Sequence, residues 1–143
     1  MKKLNVFQSD QLLYKLSEEL CSDLVLNKKF SHYDSKGRNL RSRADDIFYR
    51  KYTRKSGKEK ETFKDLKESI MMMSEKYIEN DESFQLSIVL KLIIDELVPS
   101  LVNRKNLLNE NLHYLGYTIM NHESFGSICV IVFSEKQYIK DHF

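Results

Sequence analysis

The sequence predicts an α+β domain in which helices pack on a small, mainly antiparallel sheet. Three observations carry this. Leucines recur at helical spacing early in the chain, two short runs rich in β-formers lie near its end, and a brief polar connection joins those runs. At 143 residues the chain fits one domain, 1–143, with room for a real core. A hydrophobic content of 41% with 31% charged residues is ordinary for a globular protein. One proline and four glycines exclude collagen-like, linker-rich or disordered character.

Residues 4–8 alternate as a short edge strand would. Ser9 is placed to cap the helix that follows, with Asp10 in its favourable first turn. Leu12, Leu13, Leu16, Leu20 and Leu24 then mark a helix over 10–28, and Lys28 and Lys29 suit its negative end. The run 47–54 is rich in β-formers and ends on the turn signal Lys55-Ser56-Gly57, which predicts a strand. Phe63, Leu66, Ile70, Met73 and Tyr77 predict an amphipathic helix, with Met71 and Met72 flanking its core face. A very apolar helix is expected over 84–97 and ends before Pro99. A short helical turn near 101–108 precedes strands at 114–120 and 127–134, which pair as an antiparallel hairpin through His122–Gly126.

Cys21 and Cys129 are too few for a disulfide framework and read as buried thiols. No stretch reaches the roughly 20 apolar residues needed to span a membrane. A net charge of +2 by itself points to neither nucleic acid nor membrane. The charge is uneven, however: eleven Lys/Arg against four Asp/Glu fall between Lys36 and Lys64. Arg50, Lys51, Arg54, Lys55, Lys58 and Lys60, interleaved with Tyr49 and Tyr52, form a candidate polyanion-binding stretch. A solvated face of a lysine-rich protein reads the same way, and nucleic acid is not the expected partner.

Among four histidines, His32 stands out, in Phe30-Ser31-His32-Tyr33-Asp34-Ser35-Lys36-Gly37-Arg38 just past the first helix. A histidine held in a loop can bind a metal, move a proton or anchor a hydrogen-bond network. No serine or cysteine lies at nucleophile spacing to a base.

These pieces resemble the CAP family of cysteine-rich secretory proteins, antigen 5 and pathogenesis-related 1 proteins, especially its bacterial branch. The resemblance rests on the Phe30–Gly37 segment, the arginine-bearing turn with Arg41 and Arg43, and Ser100-x-x-Asn103-Arg104-x-Asn106-Leu107-Leu108-Asn109. Gly116 and the strand closing at Phe133 complete it, so that it covers about residues 6–134. It implies a three-layer α–β–α sandwich, with the family's first helix largely absent. It also implies a cleft of two histidines and two glutamates. His32 falls on the first histidine, Glu68 in Lys67-Glu68-Ser69-Ile70 on the first glutamate, and Glu96 in Ile93-Ile94-Asp95-Glu96 on the second. Glu59 and Glu79 are alternatives for the first glutamate. Asn103 stands where the second histidine belongs.

His32, Glu68 and Glu96 could still offer a divalent metal such as zinc three ligands, although an amide in place of an imidazole leaves weak affinity as the expectation. A metal-assisted hydrolase in this cleft is one reading. A non-enzymatic binding module is the other, with a host or envelope molecule, or a lipid, as its ligand. The resemblance further implies an extracytoplasmic protein at the cell envelope, and a monomer is expected. Its composition is like that of a spirochaetal surface lipoprotein, anchored through a leader that the chain does not include.

Overall fold

The computed structural model describes residues 7–52, 62–74, 76–78, 88, 102–124 and 126–139, with 51, 52 and 102–104 described by backbone alone. The elements are β1 (Gln8–Ser9), α1 (Gln11–Leu26), α2 (Leu40–Ile47), a π-helical turn (Phe48–Tyr52), β2 (Lys67–Met73), α3 (Val102–Leu108), β3 (Tyr114–Asn121) and β4 (Ser127–Ser134). The strands form one mixed sheet in the order β1-β3-β4-β2. β1 runs parallel to β3, while β4 is antiparallel to both of its neighbours.

β4 is buried along its whole length because both faces of the sheet are covered. Ile128, Val130 and Val132 face α1 and α2, joining Leu12, Leu16, Leu20, Ala44 and Ile47. Cys129, Ile131 and Phe133 point the other way, toward Ile88, Leu112, Met71 and Met73. The domain therefore has the expected three layers, with the sheet in the middle. Each fully buried Leu, Ile or Phe contributes about 1.5–3 kcal/mol relative to exposure, and β4 supplies both layers from alternate residues.

Asp10, rather than Ser9, caps α1. Its Oδ1 accepts from the N–H groups of Leu12 (2.9 Å) and Leu13 (3.3 Å). Its Oδ2 accepts from Tyr138 (2.7 Å) and Ile139 (2.9 Å), pinning the end of the described chain to the start of α1. Burial raises its carboxyl above the ordinary range against the pull of these four donors. α1 lies directly on β3 at Gly116: a Cβ there would sit 2.1 Å from the Tyr14 backbone nitrogen. Only glycine permits that approach.

Three further sequence expectations need correction. The edge strand expected at 4–8 is observed as Gln8–Ser9, and residues 1–6 lie outside the described part. The strand expected over 47–54 is instead the end of α2 and a π-helical turn, with 53 and 54 outside the described residues. Asn39 caps α2 through its Oδ1, which accepts from Ser42 N at 2.9 Å. Phe48 and Tyr49 then pack edge-on against Phe63, so aromatic burial outweighs strand propensity. Phe63 holds a left-handed φ of 55° inside this cluster, a strained conformation that its burial sustains.

The helix expected over 63–77 is contradicted by β2. Residues 68–71 are all buried because both faces of the strand are covered, which erases the alternation that betrays a half-exposed strand. Met71 and Met73 share one face of the sheet, while Met72 is 40% exposed. The helix expected over 84–97 lies outside the described residues except for helical Ile88. The helix at 10–28, the turn near 101–108 and the final hairpin match α1, α3 and the β3–β4 pair.

Candidate functional site

The Phe30–Arg38 segment is built around Asp34. Its Oδ1 accepts from Lys36 N (3.0 Å) and Arg38 N (2.8 Å), and its Oδ2 from Arg38 Nε (2.8 Å). Gly37, at φ 75°, closes the turn by donating to the Asp34 carbonyl at 2.9 Å. Burial would raise the Asp34 carboxyl, but these donors and the Arg38 charge outweigh it and hold the group below the ordinary range. Ser35 ties the turn to α1 by donating from N and Oγ to the Asp23 carboxylate at 2.8 and 2.6 Å. The motif's aspartate and glycine thus shape a rigid loop, and that loop carries His32.

His32 Nδ1 lies 3.0 Å from Glu68 Oε1. The imidazole side chain is 56% exposed and the glutamate 3%. With Glu68 as a carboxylate, Nδ1 is the donor, which leaves Nε2 as the outer nitrogen. Beneath, Arg43 of α2 donates from Nη2 to Glu68 Oε2 at 2.6 Å, and its side chain is also 3% exposed. Arg43 Nη1 donates to the Leu16 carbonyl of α1 at 3.5 Å, while its buried Nε has no hydrogen-bond partner among the described residues. Asn106 of α3 donates from Nδ2 to the Glu68 carbonyl (3.2 Å) and to Ser69 Oγ (3.0 Å). One glutamate on β2 therefore joins the His32 loop, α2 and α3.

Of the sequence-predicted cleft residues, the structure brings His32 and Glu68 together. Glu96, Glu59 and Glu79 lie outside the described residues, and Asn103 is described only by its backbone in α3. Arg43 and Asn106, marked in the sequence only as parts of motifs, complete the network. Among the described residues no group of three or more His, Cys, Asp or Glu is placed to hold a metal ion. In the basic stretch, Arg50 pairs with Asp46 at 3.1 Å and approaches Glu19 at 3.9 Å. The side chain of Lys51, and Arg54, Lys55, Lys58 and Lys60, lie outside the described residues. Both cysteines are buried and free; burial pushes the Cys21 thiol up to about 12 and raises Cys129 as well, far from nucleophilic thiolates.

A three-layer α–β–α domain with a loop histidine backed by a strand carboxylate defines the class of this protein. The model of the CAP family, described as the cysteine-rich secretory protein family, matches residues 1–133. The chain belongs to the CAP family. Its fold is similar to that of an outer surface protein from Borrelia burgdorferi, with a TM-score of 0.61 and 19% identity over 94% of this chain and 80% of that one. It is also similar to an extracellular protein containing an SCP domain from Bacillus anthracis strain Ames. That likeness has a TM-score of 0.57 and 20% identity, and covers 93% of this chain but 35% of the larger protein. No curated protein matches the sequence.

Proposed function

We propose that this chain is a non-enzymatic binding module of the CAP type, working outside the cytoplasm at a bacterial cell envelope or surface. The observation that carries the reading is the complete engagement of Glu68. One oxygen meets His32 and the other a buried guanidinium, so the carboxylate already has its cation. A divalent ion would have to displace His32 Nδ1 and sit beside the Arg43 charge, and the described donors do not fit it. The network reads as a clamp that fixes loop, helix and strand into one platform. The outer surface and extracellular proteins of similar fold support the location. No helix among the described residues is long and apolar enough to cross a membrane, and attachment through a lipidated leader is part of the proposal.

Calorimetric titration with zinc tests this directly. Weak or no binding is expected; a stoichiometric sub-micromolar site abolished by His32→Ala would overturn it. The second reading, a hydrolase, draws on the half-exposed imidazole oriented by a buried carboxylate, an arrangement that general bases use. An esterase or peptidase activity lost in His32→Ala, with the fold intact by circular dichroism, would favour it over the binding module.

A further inference from the structure

The sheet is finished unevenly. β1 pairs with β3 only at Tyr114 and Leu115, although β3 continues to Asn121. The hydrogen-bond phase of β3 shows which groups remain. His122 N donates to Gly126 O, and the pairing register couples residues of equal parity across the hairpin. Even-numbered residues of β3 therefore exchange hydrogen bonds with β4, and odd-numbered ones point away from it. Gln8 N donating to the His113 carbonyl, on the β1 side, agrees. Past Ser9 no described strand faces Tyr117 and Ile119, and their N–H and C=O groups form the outer edge.

A groove of about 610 Å³ runs along this edge. Tyr14 and Lys15 of α1 wall it on one side, and Tyr77 on the other. Tyr77 is held at the far end of β3, where its N–H donates to Asn121 Oδ1 at 2.6 Å. Tyr14 and Tyr117 are 46% and 53% exposed. Natural edge strands are usually blunted with lysine, proline or a bulge, yet Tyr114–Asn121 carries no charge and no proline.

We propose that this edge is a docking site for an extended polypeptide segment of a partner protein, which joins the sheet beside Tyr117 and Ile119 as an added strand. The proposal deepens the binding-module reading, on which it rests, by naming the class of partner. Backbone donors and acceptors at two-residue spacing are matched by another extended backbone. An acyl chain in the groove would bury them unpaired. A second copy of this chain, offering the same edge, is the competing occupant that the sedimentation measurement below detects. The open run from Gly116 to Asn121 spans roughly 20 Å at 3.3 Å per residue. A segment of six or seven residues fills it, with alternate side chains apolar toward Tyr77 and Ile119 and polar toward Gln11 and Lys15.

Amide exchange of the full chain, followed by NMR, tests the edge. Tyr117 and Ile119 should exchange at least tenfold faster than Thr118 and Met120. Equal protection overturns the proposal, because the chain itself covers the edge if sedimentation shows a monomer and a second copy does if it shows a dimer. Random heptapeptides displayed on phage are then selected against the protein, and the winners are synthesised. Micromolar binding that slows exchange at Tyr117 and Ile119 is expected. Ile119→Pro, which removes an outward N–H and spares the β3–β4 pairing, should weaken binding at least tenfold with the fold retained by circular dichroism. Should that variant fail to fold, N-methylation of alternate peptide residues must weaken binding to the unaltered protein equally. Selection of no peptide, or binding indifferent to N-methylation, would refute the site. Either result leaves the zinc and hydrolase tests of the binding-module reading untouched.

Discussion

Glu68→Ala should be among the most destabilising single changes in the chain, for a reason that separates a structural clamp from a functional cleft. The variant leaves Arg43, 3% exposed and without a partner at Nε among the described residues, as an uncompensated buried charge. Breaking a buried pair in this way costs about 3–5 kcal/mol. It also frees His32 from β2, adding little because that side chain is more than half exposed. At roughly 3 °C per kcal/mol for a chain of this size, the melting temperature should fall by about 10 °C. The double variant Arg43→Met/Glu68→Leu should recover most of the loss, since apolar replacement of a buried pair is often neutral or stabilising. Urea unfolding of wild type, Arg43→Met, Glu68→Leu and the double variant closes the cycle, with a coupling of about 2 kcal/mol or more expected. Glu68→Ala at wild-type stability or above, or additive single effects, would refute the clamp. Stabilisation is the result expected of a carboxylate retained for chemistry at the fold's expense.

Gly116→Ala forces a Cβ to within 2.1 Å of the Tyr14 backbone; overpacking against a helix backbone should cost about 3 kcal/mol, and a loss below about 1 kcal/mol in urea would refute the close approach. Asp34 supplies the pH dependence. Its folded carboxyl lies below the ordinary 3.8, so the folded state binds fewer protons than the unfolded chain between the two values. Its stabilisation is complete above the ordinary value and is lost as the pH falls through the folded one. Asp34→Asn should flatten the acid limb of stability against pH, and an unchanged limb would count against the loop's role. Zinc should bind weakly or not at all, as the titration above reads. Tyr117 and Ile119 should exchange their amides quickly until an extended peptide docks.

Much of the fold was legible in the chain because local periodicity and burial agree there. The leucine stripe of α1 buries one face only, and the β3–β4 hairpin has a short polar connection between two β-forming runs. The motif from Phe30 to Gly37 was legible for a related reason: a left-handed glycine and a turn-bonding aspartate act within a few residues of each other. β2 escaped because cover on both faces removed its alternation, and Leu66, Ile70 and Met73 then mimicked a helix. The aromatic run after Ile47 escaped because its partners, Phe63 and Tyr138, come from distant parts of the chain.

By itself, then, the sequence determined α1, the closing hairpin, the rigid His32 loop and the family to which they belong. Only the tertiary structure decided how Glu68 is held. It placed Glu68 on a strand and set Arg43 against it across 25 residues of chain, a pairing that no local pattern encodes. It also ended β1 after two residues, so that no described strand pairs with β3 beyond Leu115. Local spacing reports which face of an element is buried, whereas the partner of a buried charge or of a strand edge is settled by what the whole fold packs beside it.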